Sequence, residues 1–146
     1  MTALVFVDTN VLIYAIDEGN PKKQATARVW QAELWKSRRG RLSFQVLQEF
    51  YSKVCQKSPK VREEARAEIR NLLEWRPVSI DAAILERAWK IQERYKISFW
   101  DALIVSAAKA GSCRYLLTED LQEDQELDGV VVVNPFRSEP GEILSA

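Results

Sequence analysis

Short unbroken apolar runs alternate along this chain with segments whose apolar positions recur every three or four residues, which predicts strands separated by helices. Ala3 to Val7 is the first such run, rich in Val and Phe, and reads as a buried strand. Val11, Leu12 and Ala15 then fall at helical spacing. Asn20-Pro21 marks a turn before a helix over Lys22 to Arg38, with Ala25, Val29, Ala32 and Trp35 on its inner side and Gly40 ending it. A short second strand is expected over Arg41 to Phe44, followed by a helix over Gln45 to Lys57 whose apolar set is Val46, Leu47, Phe50, Tyr51 and Val54. Ser58-Pro59 breaks the chain, and Val61 to Trp75 forms a helix paired with the preceding one as a hairpin. Beyond Pro77, the pattern predicts an extended piece at Val78 to Ile80, a helix over Ala82 to Tyr95 and a small-residue helix over Trp100 to Ala110 capped by Gly111. Tyr115 to Thr118 and Val130 to Val133 complete the strands. Strands separated by helices favour a three-layer α/β/α sandwich with a mainly parallel sheet, and 146 residues suit one domain, residues 1–146.

Composition removes several chemistries. The chain has no histidine and two cysteines, which excludes Ser-His-Asp and Cys-His nucleophile pairs, histidine acid/base chemistry and histidine-ligated metals. Carboxylates must carry any hydrolysis, directly or through a hard cation. The low cysteine count favours a reducing cytoplasm. The start Met1-Thr2-Ala3 has no basic run, and no apolar stretch approaches the roughly 18 residues of a membrane span, so neither export nor insertion is expected.

Net charge is zero, but its distribution is uneven. Lys22 to Arg62 carries a net +9, with Glu33 and Glu49 as its only acids, whereas Glu119 to Glu142 is strongly acidic. A basic segment of this kind can attract a polyanion or simply form a solvated face.

Four acidic positions stand out by placement: Asp8 after the first strand, Glu49 within a helix, Asp101 opening the small-residue helix, and Asp120 after Leu116-Leu117-Thr118-Glu119. Ligands of open parallel sheets collect at the carboxyl ends of the strands. Each position also has an ordinary structural role: Asp8 or Asn10 as a helix cap, Glu49 paired with Lys53, Ser98-x-x-Asp101 as a capping box, Thr118-Glu119-Asp120 as a turn. The functional reading requires all four to converge.

Four segments, Val7-Asp8-Thr9-Asn10-Val11-Leu12, Ser43-Phe44-Gln45-Val46-Leu47-Gln48-Glu49-Phe50-Tyr51, Ser98-Phe99-Trp100-Asp101-Ala102-Leu103-Ile104 and Leu116-Leu117-Thr118-Glu119-Asp120-Leu121, resemble in order and spacing those of the PIN-domain ribonucleases, and among them the VapC-type toxins of toxin-antitoxin pairs. The resemblance implies a five-stranded, mainly parallel sheet between helices, and an acidic quartet of Asp8, Glu49, Asp101 and Asp120 that binds Mg²⁺ or Mn²⁺. Thr9, Asn10, Thr118 and Glu119 would support the quartet. The family often has Asn where this chain has Gln48, and its fourth acidic position varies most, which makes Glu119 the alternative to Asp120. The activity implied is metal-dependent endonucleolytic hydrolysis of single-stranded or looped RNA, leaving 3′-hydroxyl and 5′-phosphate ends. The partners implied are a second copy in a homodimer and a small antitoxin protein. Phe44, Tyr51, Trp100 and Tyr115 could stack bases or belong to the core, and Trp30, Trp35 and the hairpin from Gln45 to Trp75 are candidate antitoxin surfaces. The competing reading is a PIN-like scaffold that binds RNA or a partner without cutting. A haloacid-dehalogenase phosphotransferase would need a second Asp where Asn10 stands, and a response-regulator receiver fits poorly with the long helical hairpin and the late Asp101.

Overall fold

The computed structural model describes residues 3–144; the Met1-Thr2 start and the last two residues lie outside them. The elements in order are β1 (Leu4–Val7), α1 (Thr9–Ile16), α2 (Pro21–Ser37), β2 (Gly40–Arg41), α3 (Phe44–Lys57), α4 (Arg62–Leu72), α5 (Ala82–Tyr95), α6 (Phe99–Ala110), β3 (Cys113–Leu117), β4 (Glu126–Leu127), β5 (Val130–Val133) and α7 (Pro140–Leu144). Single 3₁₀ turns at Pro59–Val61 and Leu73–Trp75 bracket α4, so the helix expected from Val61 to Trp75 is α-helical only in its middle.

Five strands form one sheet in the order β2-β1-β3-β5-β4, with every pair parallel except β4-β5. Flanked by helices, this is the three-layer architecture expected from the alternation of runs. α6 packs on β3 and β5 and against α5, while α1 packs with α2 and α3. The small side chains Ala102, Ser106, Ala107 and Ala108 are buried where α6 meets its neighbours. The core is continuous, with Phe6, Leu12, Trp30, Phe50 and Leu116 among its largest fully buried side chains.

Local chemistry sets the helix starts. Asp8, Asn20, Ser43, Asp81 and Ser98 each accept a hydrogen bond from a backbone N–H of the helix they precede, satisfying a donor that has no partner within the helix. The cap at Ser43 explains one departure. Arg41 to Phe44 does not form a strand throughout: β2 stops at Arg41, Ser43 caps, and Phe44 is already helical. Ser43 and Val78 share one isolated parallel bridge, all that remains of the extended piece at Val78 to Ile80.

On α2 the buried stripe is Ala27, Trp30 and Leu34, not Ala25, Val29 and Ala32, and Val29 is 53% exposed. Apolar residues surround this helix, and the stripe with the larger side chains is the one that buries more area. Gly111 keeps an ordinary φ of −81° and Ser112 takes the left-handed conformation instead. The apolar pattern does not show β4, a two-residue edge strand too short for periodicity. Its hairpin had a readable signal in Asp128-Gly129, both at positive φ (52° and 90°), the geometry that tight hairpin turns require. Gly40 is needed for a different reason: a Cβ there would lie 2.6 Å from the Trp75 ring.

Candidate active site

β1 and β3 are adjacent and parallel, while β2 lies on the other side of β1, so the strand order reverses at their carboxyl ends. Such a reversal opens a crevice beyond the sheet. The Asp8 N–H still bonds to Leu117 O (3.0 Å) and the Thr118 N–H to Val133 O (3.0 Å), so both side chains sit where the ladder ends. α3 and the first turn of α6 supply the remaining walls. The result is a cleft of about 560 Å³ lined by all four predicted acids, Asp8, Glu49, Asp101 and Asp120, together with Gln45, Lys53 and Trp100.

Each carboxylate is held. Asp8, 6% exposed, accepts from the Thr9 N–H at 2.7 Å and from the Thr118 hydroxyl at 3.0 Å. Thr118 Oγ1, fully buried, also accepts from Asn10 Nδ2 at 2.9 Å and from the Asp120 N–H at 3.1 Å. The Asn10 amide reaches on to Asp120 Oδ2 at 3.0 Å, and its carbonyl accepts from the Glu119 N–H at 3.4 Å. Thr118 and Asn10 thus tie Asp8 and Asp120 into one network. Glu49 is gripped from both sides, by the Thr9 hydroxyl (3.2 Å) and by Gln45 Nε2 (2.8 Å).

Burial pushes the Asp8 carboxyl up to about 6; hydrogen bonds from Thr9 and Thr118 oppose the rise, and the negative charges of Asp120 and Glu49 add to it. Burial likewise raises Asp101, against a hydrogen bond with Ser98 and with a contribution from Asp120 and Glu49. The four groups are thus linked, Asp8 and Asp101 each feeling the charges of Asp120 and Glu49. They form an all-oxygen donor set, which fits a hard divalent cation and no thiolate- or imidazole-seeking metal. Among the described residues no three acidic, histidine or cysteine side chains form a ready cage for an ion. Mg²⁺ does not require one, because it is commonly held by one or two carboxylates and keeps several waters. The buried Cys113 thiol, raised to about 12 by burial, is no nucleophile.

Glu119 points elsewhere. Its carboxylate takes Lys23 Nζ at 2.8 Å and the Tyr14 hydroxyl, and Lys23 lies over the Tyr14 and Phe136 rings. It anchors the loop that carries Asp120 but does not line the cleft, so it is not placed as a substitute for Asp120. Gln45 was not foreseen, although a position four residues before Glu49 on one helix face was a readable signal. It takes the place expected of Lys53, which lines the cleft but makes no ion pair with Glu49. Of the basic segment from Lys22 to Arg62, Lys53 alone borders this cleft.

The aromatics divide. Trp100 is 63% exposed and lines the cleft, whereas Phe44 is exposed outside it. Tyr51 is half-buried beneath the Arg66 guanidinium, and Tyr115 is half-buried in β3. Trp30 is fully buried, with its indole N–H on Pro135 O at 3.0 Å, so it cannot serve as a docking surface; Trp35 packs on Trp75. No helix among the described residues is long and apolar enough to cross a membrane.

A mainly parallel sheet between helices, carrying a carboxylate-lined, histidine-free cleft at its switch point, defines an acidic-site α/β domain suited to a hard metal. Residues 5–125 match the PIN domain family, and the chain belongs to it. Comparison with curated protein sequences returns no match. Among solved structures, the fold is similar to a chain of a toxin-antitoxin complex from Klebsiella pneumoniae (TM-score 0.63, 23% identity, covering 91% of this chain and 98% of that one). It is also similar to Mycobacterium tuberculosis VapC20, a sarcin-ricin loop cleaving toxin (TM-score 0.60, 24% identity, 77% and 86% covered). A third is VapBC2 from Rickettsia felis, bound to a DNA fragment from its promoter (TM-score 0.60, 21% identity, 90% and 98% covered).

Proposed function

We propose that this chain, as one nuclease domain over residues 1–146, is a Mg²⁺- or Mn²⁺-dependent endoribonuclease and the toxin of a toxin-antitoxin pair, neutralised in the cytoplasm by a small antitoxin. The observation that carries the proposal is that Asp8, Glu49, Asp101 and Asp120, drawn from four separate parts of the chain, line a single cleft at the sheet's switch point. Asp8 is buried and Glu49 and Asp101 are half-buried, and bringing like charges together in such a place is costly unless a cation neutralises them. Membership of the PIN family and likeness of fold to a sarcin-ricin loop cleaving toxin, to a chain of a toxin-antitoxin complex and to VapBC2 support the same reading.

Asp8 and Asp101 would hold the ion, with Glu49 and Asp120 completing the acidic set. A divalent cation there supplies neutralisation of the phosphate and a lowered pKa for the attacking water. Glu49, held by Thr9 and Gln45, would accept the proton of the attacking water. Thr118 and Asn10 keep Asp8 and Asp120 in register, the role that supporting hydrogen bonds play around metal ligands. Lys53 gives the otherwise acidic cleft a cation for the RNA backbone. Hydrolysis by water leaves 3′-hydroxyl and 5′-phosphate ends. A homodimer is part of the proposal.

The test is incubation of antitoxin-free protein with a mixed RNA pool, with Mg²⁺ or Mn²⁺ and with chelator, comparing wild type with Asp8→Asn and Asp101→Asn. Metal-dependent cutting that both substitutions abolish is expected. Folded, partner-free wild type that leaves RNA intact would turn the function towards a non-cutting scaffold, and 2′,3′-cyclic phosphate ends would refute attack by water.

A further inference from the structure

Resting on the nuclease reading above, we infer that Trp100 is the substrate-selecting residue of the cleft: its indole stacks on an unpaired RNA base beside the cleaved phosphate and confines cutting to unpaired nucleotides. Trp100 occupies the first turn of α6, immediately before Asp101, and 63% of its surface is open to solvent. Exposing an indole to this extent forgoes burial that would stabilise the fold. It stands on the wall of the same cleft as the four carboxylates, whereas the other exposed large apolar residues, Val29, Phe44, Leu73 and Trp89, do not line it. Phe99 packs against the ring in a T-shaped contact, with centroids 5.2 Å apart and planes at 70°.

The charges of the cleft favour an uncharged contact of this kind. Four carboxylates repel a polyanion, and Lys53 is the one basic side chain among the lining residues. Electrostatics therefore cannot hold RNA here without the metal, and a neutral stacking contact can. An aromatic face accepts any base, so Trp100 selects for strand state rather than for base identity. In a duplex each base is already stacked and paired, so only loops, bulges and single strands offer a free face.

The experiment measures binding of the full-length Asp8→Asn protein, in Mg²⁺, to a fluorescein-labelled RNA of about 12 nucleotides, single-stranded and annealed to its complement, with and without Trp100→Ala or Trp100→Phe. At the usual strength of base–aromatic stacking, Trp100→Ala weakens single-strand binding about fivefold or more. The duplex affinity stays unchanged and Trp100→Phe retains most of the single-strand affinity. Equal losses for both RNA forms, or none for either, would overturn the inference. A parallel cleavage assay of the wild-type protein with Mg²⁺ separates the two failures. Metal-dependent cutting by a protein whose single-strand binding ignores Trp100 refutes the stacking role alone, while absence of cutting refutes the nuclease reading.

Discussion

Replacing Asp8 by Asn is expected to make the metal-free protein more stable at neutral pH while destroying its proposed activity. Asp8 is almost wholly buried, and its carboxyl is pushed from 3.8 up to about 6. The folded protein thus holds this proton more tightly than the unfolded chain. Its contribution to stability is complete below about pH 3.8, is lost as pH rises through about 6, and amounts to about 3 kcal/mol in total. Asn carries no charge and avoids that loss. It can still accept from the Thr9 N–H and cap α1. Its NH₂ group, however, faces Thr118 Oγ1, which already accepts from Asn10 and Asp120, and the mismatch costs about 1 kcal/mol. The net gain is about 2 kcal/mol at pH 7.5, shrinking to a small loss near pH 4. Urea denaturation of both proteins in chelator across this range measures it, and the difference between them isolates Asp8 from Asp101 and the other acids. Mg²⁺ should then stabilise wild type more than the variant, because ligand binding to the native state adds to stability. A variant no more stable than wild type at neutral pH in chelator would refute the assignment of Asp8 as a buried charge destabilised by its surroundings.

Gln45→Met should lower RNA cleavage about tenfold by freeing Glu49. It should leave stability unchanged or slightly higher, because Gln45 Oε1 is buried with no hydrogen-bond partner; parallel cleavage and denaturation assays check both. Thr118→Val keeps the shape but leaves Asp8 Oδ2 with only the long bond from Asn10 Nδ2 (3.5 Å), and Asn10 Nδ2 and the Asp120 N–H without this acceptor. It should cost about 2 kcal/mol in urea denaturation and reduce cleavage about 10- to 100-fold. Gly40→Ala places a Cβ within 2.6–2.8 Å of three Trp75 ring atoms and should destabilise by about 1–3 kcal/mol, while cleavage per folded molecule is retained.

Much of this molecule is determined by short-range chemistry and is therefore legible in the chain. Apolar runs at Leu4–Val7 and Val130–Val133 become central strands because only a two-sided apolar environment suits them. Asp8, Asn20, Ser43, Asp81 and Ser98 start helices because their side chains satisfy N–H groups a few residues away. Asp8, Asp101 and Asp120 could be singled out because strand ends and a helix start place them, whereas Glu49 lies within α3. Tertiary structure decided what depends on competition between distant groups. Whether Trp30 or Val29 faces inward follows from which stripe of α2 buries more against the core, a comparison no local window contains. Neighbouring Glu119 and Asp120 part company because Lys23 and Tyr14 claim one while Asn10 claims the other, residues nearly a hundred or more positions away. Likewise, Trp100 stands open and Trp30 is sealed although both are apolar in sequence, because exposure is a property of what packs against a side chain.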